Sequence, residues 1–176
     1  CIAGLRKPTK GTVQICGMPV GGVVRDPSLL GFIPEDRAKT GLVPGFGIAE
    51  NLILKTFTKS PYAHRGVLQG DAMWRKAHDL IREYDIMTSH SMAPVRFLSG
   101  GNQQKVVVAR ELSGSPKLVV ASQATRGLDV GAIESVHKVL MRARNRGAAV
   151  LFISAELSEL LALSDRIIVM LEGQIM

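Results

Sequence analysis

A serine and two glycines stand directly before an apolar helical run, in the string Leu98–Lys105, which reads LSGGNQQK. A helix start of this composition exposes backbone N–H groups and lets a ligand approach closely. The helix macrodipole adds partial positive charge there, so the pattern suits an anion, above all a phosphate. An ordinary Ser N-cap after a flexible turn explains the same spacing. Spacing alone therefore leaves both interpretations open.

Three more strings stand in order along the chain: PEDR at 34–37, ENLIL at 50–54 and TRGLDVGA at 125–132. Together with the serine–glycine string they resemble ATP-binding cassette (ABC) transporter ATPases. Leu98–Lys105 resembles the signature motif of that family, residues 34–37 the Q-loop region, and residues 125–132 the segment through the D-loop. The combination resembles the second, C-terminal cassette of the tandem ATPases that drive uptake of simple sugars or nucleosides.

The resemblance implies an α/β fold of the P-loop NTPase (RecA-like) type, a parallel sheet core with an inserted helical subdomain. We expect the core to comprise residues 1–44 and 111–176, and the helical signature subdomain to comprise residues 45–110. Cassettes of this family work in head-to-tail pairs. Each ATP is held by the P-loop of one cassette and capped by the signature motif of the other.

The same resemblance assigns roles to residues of this chain. The residues that would contact the partner's ATP are Ser99, Gly100, Gly101 and Gln103. Asp129 would lie at the interface between the cassettes. Glu35, with the helical subdomain, would form the groove that receives a coupling helix of the membrane permease.

Three catalytic positions depart from the family pattern. Ser122 stands where the Walker B aspartate would help to hold Mg²⁺, a hard cation that prefers carboxylate oxygens. Gln123 stands where a glutamate would polarise the attacking water, and Ala155 stands where the switch histidine belongs. We expect this cassette's own site to hydrolyse ATP poorly or not at all, while its signature motif serves the partner's site. Gln123 also favours nucleoside-type over ribose- or galactose-type importers.

A P-loop of the form GxxxxGK[ST] does not occur in the sequence, and residues 2–9 resemble the stretch that follows the P-loop helix. We therefore expect the sequence to be an excerpt, with the P-loop upstream of Cys1. The cofactors of the whole assembly would be ATP and Mg²⁺. Its partners would be a second cassette in the same full-length chain, permease subunits and a solute-binding protein, at the cytoplasmic face of the cell membrane.

The elements that must position these residues alternate in the last third of the chain. Continuous apolar strands between helices predict a parallel sheet covered on both faces. The predicted strands are Leu118–Ala121, Val150–Ile153 and Ile167–Met170, and the predicted helices are Asn102–Leu112, Ala132–Arg146 and Glu156–Leu163.

The first part of the chain predicts short strands and then helices. Thr12–Cys16 is a β-like run, and Gly17–Pro19 is a turn. Ile48–Lys55 is a short helical stretch, and Asp71 is a suitable N-cap for a longer helix. The apolar stripe predicted for that helix is Trp74, Ala77, Ile81 and Tyr84.

Composition bounds the remaining function classes. The 176 residues are 46% apolar and 21% charged, which excludes a disordered or fibrous chain. The net charge of +7 raises nucleic acid as a rival partner, for a DNA-associated ABC-type ATPase or another basic protein. Aromatic residues are only 5% and the basic residues form no dominant patch, so we expect no nucleic acid. Two cysteines cannot form a disulfide framework, and the four histidines lack metal-ligand spacing.

Overall fold

The computed structural model describes residues 4, 6–20, 22, 24 and 26–176. Within them the strands are β1 (Gln14–Ile15), β2 (Met18–Pro19), β3 (Leu30–Ile33), β4 (Ala63–His64), β5 (Val67–Leu68), β6 (Leu118–Ser122), β7 (Ala149–Ile153), β8 (Met170–Leu171) and β9 (Gln174–Ile175). The α-helices are α1 (Ile48–Ile53), α2 (Gly70–Glu83), α3 (Gly100–Leu112), α4 (Val130–Asn145) and α5 (Leu157–Leu163). A π-helical turn spans Arg37–Gly41, and a 3-10 turn spans Val95–Phe97. Residues 1–3 and 5, at the stretch expected to follow a P-loop helix, lie outside the described residues.

A parallel sheet of order β3-β6-β7 confirms the α/β prediction. Leu118 of the central strand is in register with Leu30 on one side and Ala149 on the other. β6 is central because its run of Leu, Val, Val and Ala is apolar on both faces, as a doubly covered strand requires. Since the strands are parallel, their carboxyl ends meet at one edge, which receives the segments that begin at Pro34, Gln123 and Ser154.

The prediction of a buried strand at Ile167–Met170 is wrong. Met170–Leu171 instead pairs antiparallel with Gln174–Ile175 in a short hairpin, and Val169 is 60% exposed. An apolar run becomes a buried strand only where a neighbouring strand takes its hydrogen bonds and another layer covers it. Within the described residues, the outer edge of β7 has no strand paired with it.

A second correction concerns the first hairpin. Met18–Pro19, predicted as part of a turn, forms β2 and pairs with β1. The turn lies one residue earlier, at Cys16 and Gly17, which have φ of 51° and 77°. Gly17 supplies the left-handed backbone that this turn needs without a steric cost.

The long helix α2 begins before its predicted cap. Its N-cap is Gln69, and Asp71 lies in the first turn, where a carboxylate favours the helix dipole. The predicted apolar stripe is displaced by about one residue, since the buried residues of α2 are Met73, Ala77 and Leu80. Trp74 is 48% exposed and its indole N–H lies 3.2 Å from Met92 Sδ, whereas Ile81 and Tyr84 are half-buried. Periodicity predicts a helical apolar stripe, but the packing partner, here α1, selects which side of the stripe is buried.

The centre of the hydrophobic core is α3. Four consecutive residues of this helix, Val106 to Ala109, are 0–2% exposed, so it is enclosed on every side. It contacts α1, β3, α4 and the π-helical turn. Its enclosed position fixes the direction of its N-terminus. No helix among the described residues is both long and apolar enough to span a membrane.

Candidate functional site

The predicted signature string begins α3 with a side-chain cap. Ser99 is the N-cap, with extended ψ of 156°, and its Oγ accepts hydrogen bonds from Asn102 N at 3.4 Å and Asn102 Nδ2 at 3.0 Å. The first amides of an α-helix have no partner within the helix, so those of Gly100 and Gly101 lie at its N-terminal end. Ser99 is exposed and both glycines are half-buried. The end of α3 can therefore meet an anion from outside the chain.

Close contacts explain both glycines. A Cβ built on Gly100 would lie 2.7 Å from Arg37 Nη2, and one built on Gly101 would lie 3.0 Å from Ala132 Cβ. Arg37 and Ala132 belong to the π-helical turn and to α4. The N-terminus of α3 thus lies between these two elements. A side chain at Gly100 would displace the Arg37 guanidinium, and one at Gly101 would press on α4.

Asp129 is the N-cap of the neighbouring helix. Its Oδ1 accepts a hydrogen bond from Ala132 N at 2.9 Å, and its Oδ2 lies 3.6 Å from the Cβ position built on Gly101. The N-termini of α3 and α4 therefore meet, as required if the signature string and the TRGLDVGA string serve one surface. Asp129 is exposed at this surface.

The three positions predicted to be catalytic come together at the carboxyl end of the sheet. Gln123 N donates to Ile153 O at 2.8 Å, and Gln123 Oε1 accepts from Ala155 N at 3.3 Å. Ser122 ends β6 in register with Ile153. Gln123 has a left-handed backbone, with φ of 49°, which turns its side chain toward the loop after β7.

This edge does not fit a magnesium ion. Ser122 stands at the position predicted to help hold Mg²⁺, and its neutral hydroxyl is a poor ligand for this hard cation. Among the described residues, no group of three histidines, cysteines or acids could hold a metal ion. This edge therefore lacks the ligands that a magnesium-dependent step would require.

A buried carboxylate close to this edge was missed by the sequence-based prediction. Glu159 is 8% exposed, and its Oε2 accepts from Thr125 Oγ1 at 2.9 Å and from Ser154 Oγ at 2.8 Å. His137 Nε2 lies 3.1 Å from its Oε1.

The Glu159 carboxylate joins the loops after β6 and β7 to α4 and α5. It also lines an open cavity of about 870 Å³ together with Gln123 and Ala155. Nothing local distinguishes Glu159 from a solvent-facing helix residue, so only the tertiary contacts identify it.

The two glutamines of the signature string have different surroundings. Gln104 is 1% exposed, and its Nε2 donates to Ala124 O at 2.7 Å, which ties α3 to the loop after β6. Gln103, predicted to contact nucleotide, is half-buried, and its Nε2 lies 3.2 Å from Leu98 O and 3.4 Å from Val95 O. The side chain of Gln103 thus braces the turn that precedes the signature string.

The segment at 34–37 makes direct contact with the loop at 125–129. The guanidinium of Arg126 forms an ion pair with Glu35, and Arg37 Nη1 donates to Arg126 O at 3.2 Å. Two aromatic side chains of the helical region, Phe46 and Phe97, are 45% and 72% exposed. Their segments are joined by a hydrogen bond that Val95 N donates to Phe46 O. Exposed aromatic side chains are enriched in protein contact surfaces.

Comparisons with known proteins agree with this geometry. A family model described as ABC transporter matches residues 1–126. The chain is 48% identical over 99% of its length to the guanosine import ATP-binding protein NupO of Bacillus subtilis (strain 168), of which it covers 35%. It is 42% identical over 99% of its length to the nucleoside import ATP-binding protein NupA of Lactococcus lactis subsp. cremoris, again covering 35% of that protein.

A ribose import ATP-binding protein of Rhizobium etli, RbsA 2, is 40% identical over 99% of the chain. The chain spans about a third of the length of these curated relatives. Among solved structures, a dimeric post-hydrolysis state of the ATP-binding cassette MJ0796 bound to ADP and Pi superposes with a TM-score of 0.72 at 25% identity. The superposition covers 90% of this chain and 68% of that one.

Proposed function

Because the chain belongs to the ABC transporter family, we propose that it is part of the C-terminal nucleotide-binding cassette of an importer for a nucleoside or simple sugar. ATP binding and hydrolysis would be coupled to uptake of the solute. Residues 45–110 would be the helical signature subdomain, and residues 1–44 and 111–176 would belong to the RecA-like core.

The observation that carries this proposal is the exposed N-terminus of α3 beside Asp129. Ser99 uses its hydroxyl oxygen to cap the helix, which holds the amides of Gly100 and Gly101 in a fixed direction. In a head-to-tail pair, these amides and the Ser99 hydroxyl would hold the γ-phosphate of ATP bound to the partner cassette. Asp129 would lie at the interface, close to the same phosphate-binding end.

The chain's own catalytic edge has little capacity for hydrolysis. Gln123 Oε1 already accepts a hydrogen bond from Ala155 N, and an amide does not take up a proton from an attacking water. Ala155 offers no side chain that could contact a γ-phosphate. ATP with Mg²⁺ would supply the phosphoryl group for the assembly, and the productive site would be the one completed by Ser99–Gly101.

The partners follow from the surfaces. Glu35 and the exposed aromatic pair Phe46 and Phe97 would form the groove for a permease subunit. A second cassette would face Ser99 and Asp129, and a solute-binding protein would deliver the solute. These contacts would place the protein at the cytoplasmic face of the cell membrane as a peripheral subunit.

A nucleoside is the favoured solute. The relative that is 48% identical is a guanosine import protein, and a nucleoside import protein follows at 42%. Uptake of radiolabelled guanosine by the reconstituted transporter, challenged with unlabelled nucleosides and with ribose, separates the two classes. Guanosine uptake that is inhibited by nucleosides but not by ribose supports this assignment. Uptake of radiolabelled ribose without any uptake of guanosine contradicts it.

Site inactivation tests the proposed division of labour. In the intact transporter, we expect ATP turnover to vanish when the catalytic carboxylate of the partner cassette's site is removed. Gln123→Glu should not restore it, because Ser122 and Ala155 remain unchanged. The matched control is Gln123→Glu with the partner site intact, which should turn over like the wild type. Turnover that persists in the disabled transporter, or that Gln123→Glu restores, would contradict the proposal.

A further inference from the structure

One arginine side chain contacts two of the segments that form the candidate site. Arg37 is half-buried at the start of the π-helical turn. Its Nη1 donates to Arg126 O at 3.2 Å, in the loop that leads to Asp129. Its Nη2 lies 2.7 Å from the Cβ position built on Gly100, at the N-terminus of α3. The guanidinium thus occupies the space that the missing side chain of Gly100 leaves open.

The connection is reciprocal. The side chain of Arg126 forms an ion pair with Glu35, two residues before Arg37. Glu35 and Arg37 therefore hold Arg126 through both its guanidinium and its carbonyl. Contacts to a side chain and to its own backbone restrict the loop more than either contact alone, because both must break before the loop can move.

The turn that carries Arg37 is itself well braced. Asp36 Oδ1 accepts from Ala38 N at 3.1 Å and from Lys39 N at 3.0 Å. At the other end of the turn, a Cβ built on Gly41 would lie 3.2 Å from Val107 Cγ2 of α3. These contacts restrain the turn and place it directly against α3.

We propose that Arg37 is a positioning residue that couples three segments: the turn at 34–41, the N-terminus of α3, and the loop at 125–129. The inference rests on the proposed function, which puts the permease contact at Glu35 and the phosphate contact at Ser99–Gly101. A movement of the permease at the turn would reach the phosphate-binding end of α3 through the Arg37 guanidinium.

Arginine suits this task better than lysine. Its planar guanidinium presents donors on several sides, so one nitrogen bonds the Arg126 carbonyl while another lies against Gly100. A full positive charge at a helix N-terminus is unfavourable by itself, because the helix dipole is positive there. An anion docked at the same end relieves that repulsion, and by linkage Arg37 in this position favours the docked anion.

The functional test uses the full-length ATPase, reconstituted in proteoliposomes with its permease and solute-binding protein. We compare the wild type with Arg37→Ala, Arg37→Lys and the matched control Lys39→Ala. Lys39 carries the same charge on the same turn, but its side chain is 86% exposed, and its Nζ lies 3.8 Å from Asp36 Oδ2. The measured quantity is the ratio of ATP turnover with solute-loaded binding protein to turnover without it.

We expect the ratio to fall about fivefold or more in both Arg37 variants, the lower end of typical coupling factors, and to stay unchanged in Lys39→Ala. A merely structural role would lower thermal stability without changing the ratio. An Arg37→Ala ratio equal to that of Lys39→Ala overturns the proposal. A full ratio in Arg37→Lys overturns it too, because charge without the guanidinium geometry would then suffice.

Hydrogen exchange on the same full-length protein provides a readout that does not need transport. In Arg37→Ala we expect faster exchange both at residues 37–41 and at residues 125–128, which are far apart in sequence. Faster exchange at 37–41 alone overturns the coupling. If the wild type shows no solute-stimulated turnover, the proposed function fails, while the exchange pattern still decides whether Arg37 links the segments.

Discussion

Replacing Glu111 with glutamine removes the carboxylate of a buried ionic cluster that links β3 to α3 and to Lys55, two residues after α1. Glu111 Oε2 accepts from Phe32 N at 2.9 Å and from Lys55 Nζ at 2.8 Å, and its Oε1 accepts from Arg110 Nε at 2.9 Å. The side chains of Glu111, Arg110 and Lys55 are 5%, 7% and 18% exposed. Phe32, whose amide the cluster binds, lies in β3 three residues before Glu35. The cluster therefore supports the strand that leads to the candidate site.

The expected loss follows from these contacts. Removing one partner of a buried ion pair costs about 3–5 kcal/mol, because the other charge is left uncompensated. Two cations lose their partner here, and Arg110 Nη1 already has no hydrogen-bond partner in the part of the chain that the structure describes. Water can still reach Lys55, and the glutamine oxygen can still accept from Phe32 N. We therefore expect Glu111→Gln to lower the free energy of unfolding by about 3 kcal/mol, the lower end of that range.

Urea denaturation measures this loss, and hydrogen exchange at the Phe32 amide reports it locally. The matched control is Glu134→Gln, at an exposed i,i+4 pair with Lys138, which should change stability by no more than about 0.5 kcal/mol. Adding Lys55→Met to Glu111→Gln removes one stranded cation and should recover about 1 kcal/mol or more. If Glu111→Gln were as stable as Glu134→Gln, or if Lys55→Met made it less stable, the account of this cluster would be refuted.

Two further predictions concern the buried side chain of Gln104 and the half-buried side chain of Tyr84. Gln104→Leu leaves Ala124 O without its 2.7 Å hydrogen bond and should cost about 1–3 kcal/mol in urea denaturation; an unchanged midpoint would show that the bond contributes nothing. Burial raises the pKa of Tyr84 from its ordinary value of 10.0 to about 12. The unfolded chain then ionises first, so this residue's contribution to stability is complete below pH 10 and is lost between about pH 10 and 12. Tyr84→Phe should remove that part of the pH dependence, and equal decreases in both proteins would contradict it.

The sequence predicts those structural features that depend only on residues close to one another along the chain. The apolar runs that begin at Leu118 and Val150 predict two strands because a buried parallel strand must be apolar on both faces. Ser99 predicts the start of α3 because an N-cap acts within three residues. The strand predicted at Ile167–Met170 fails because pairing requires a neighbour that local sequence does not specify.

Local sequence patterns could not predict the contacts between residues that are far apart along the chain. Thr125 and Glu159 are 34 positions apart, and Arg37 and Arg126 are 89 positions apart. Each pair is joined by a hydrogen bond because parallel strands bring the segments that follow them to one edge of the sheet. The string resemblance identified the positions of Ser122, Gln123 and Ala155, but only the fold reveals the hydrogen bond between Gln123 and Ala155.

Placing a negative charge at the cap of α3 tests the central claim most directly. Ser99→Asp and Ser99→Asn both retain an N-cap of similar strength, so they differ mainly in charge. A carboxylate about 4 Å from a phosphate, at an effective dielectric constant of about 20, opposes it by about 4 kcal/mol before salt screening. If Ser99 meets the partner's ATP, turnover of the full-length transporter should fall at least about 100-fold in Ser99→Asp. In Ser99→Asn, which loses the hydroxyl contact but adds no charge, it should fall about tenfold or less. Equal turnover in the two variants would contradict the account.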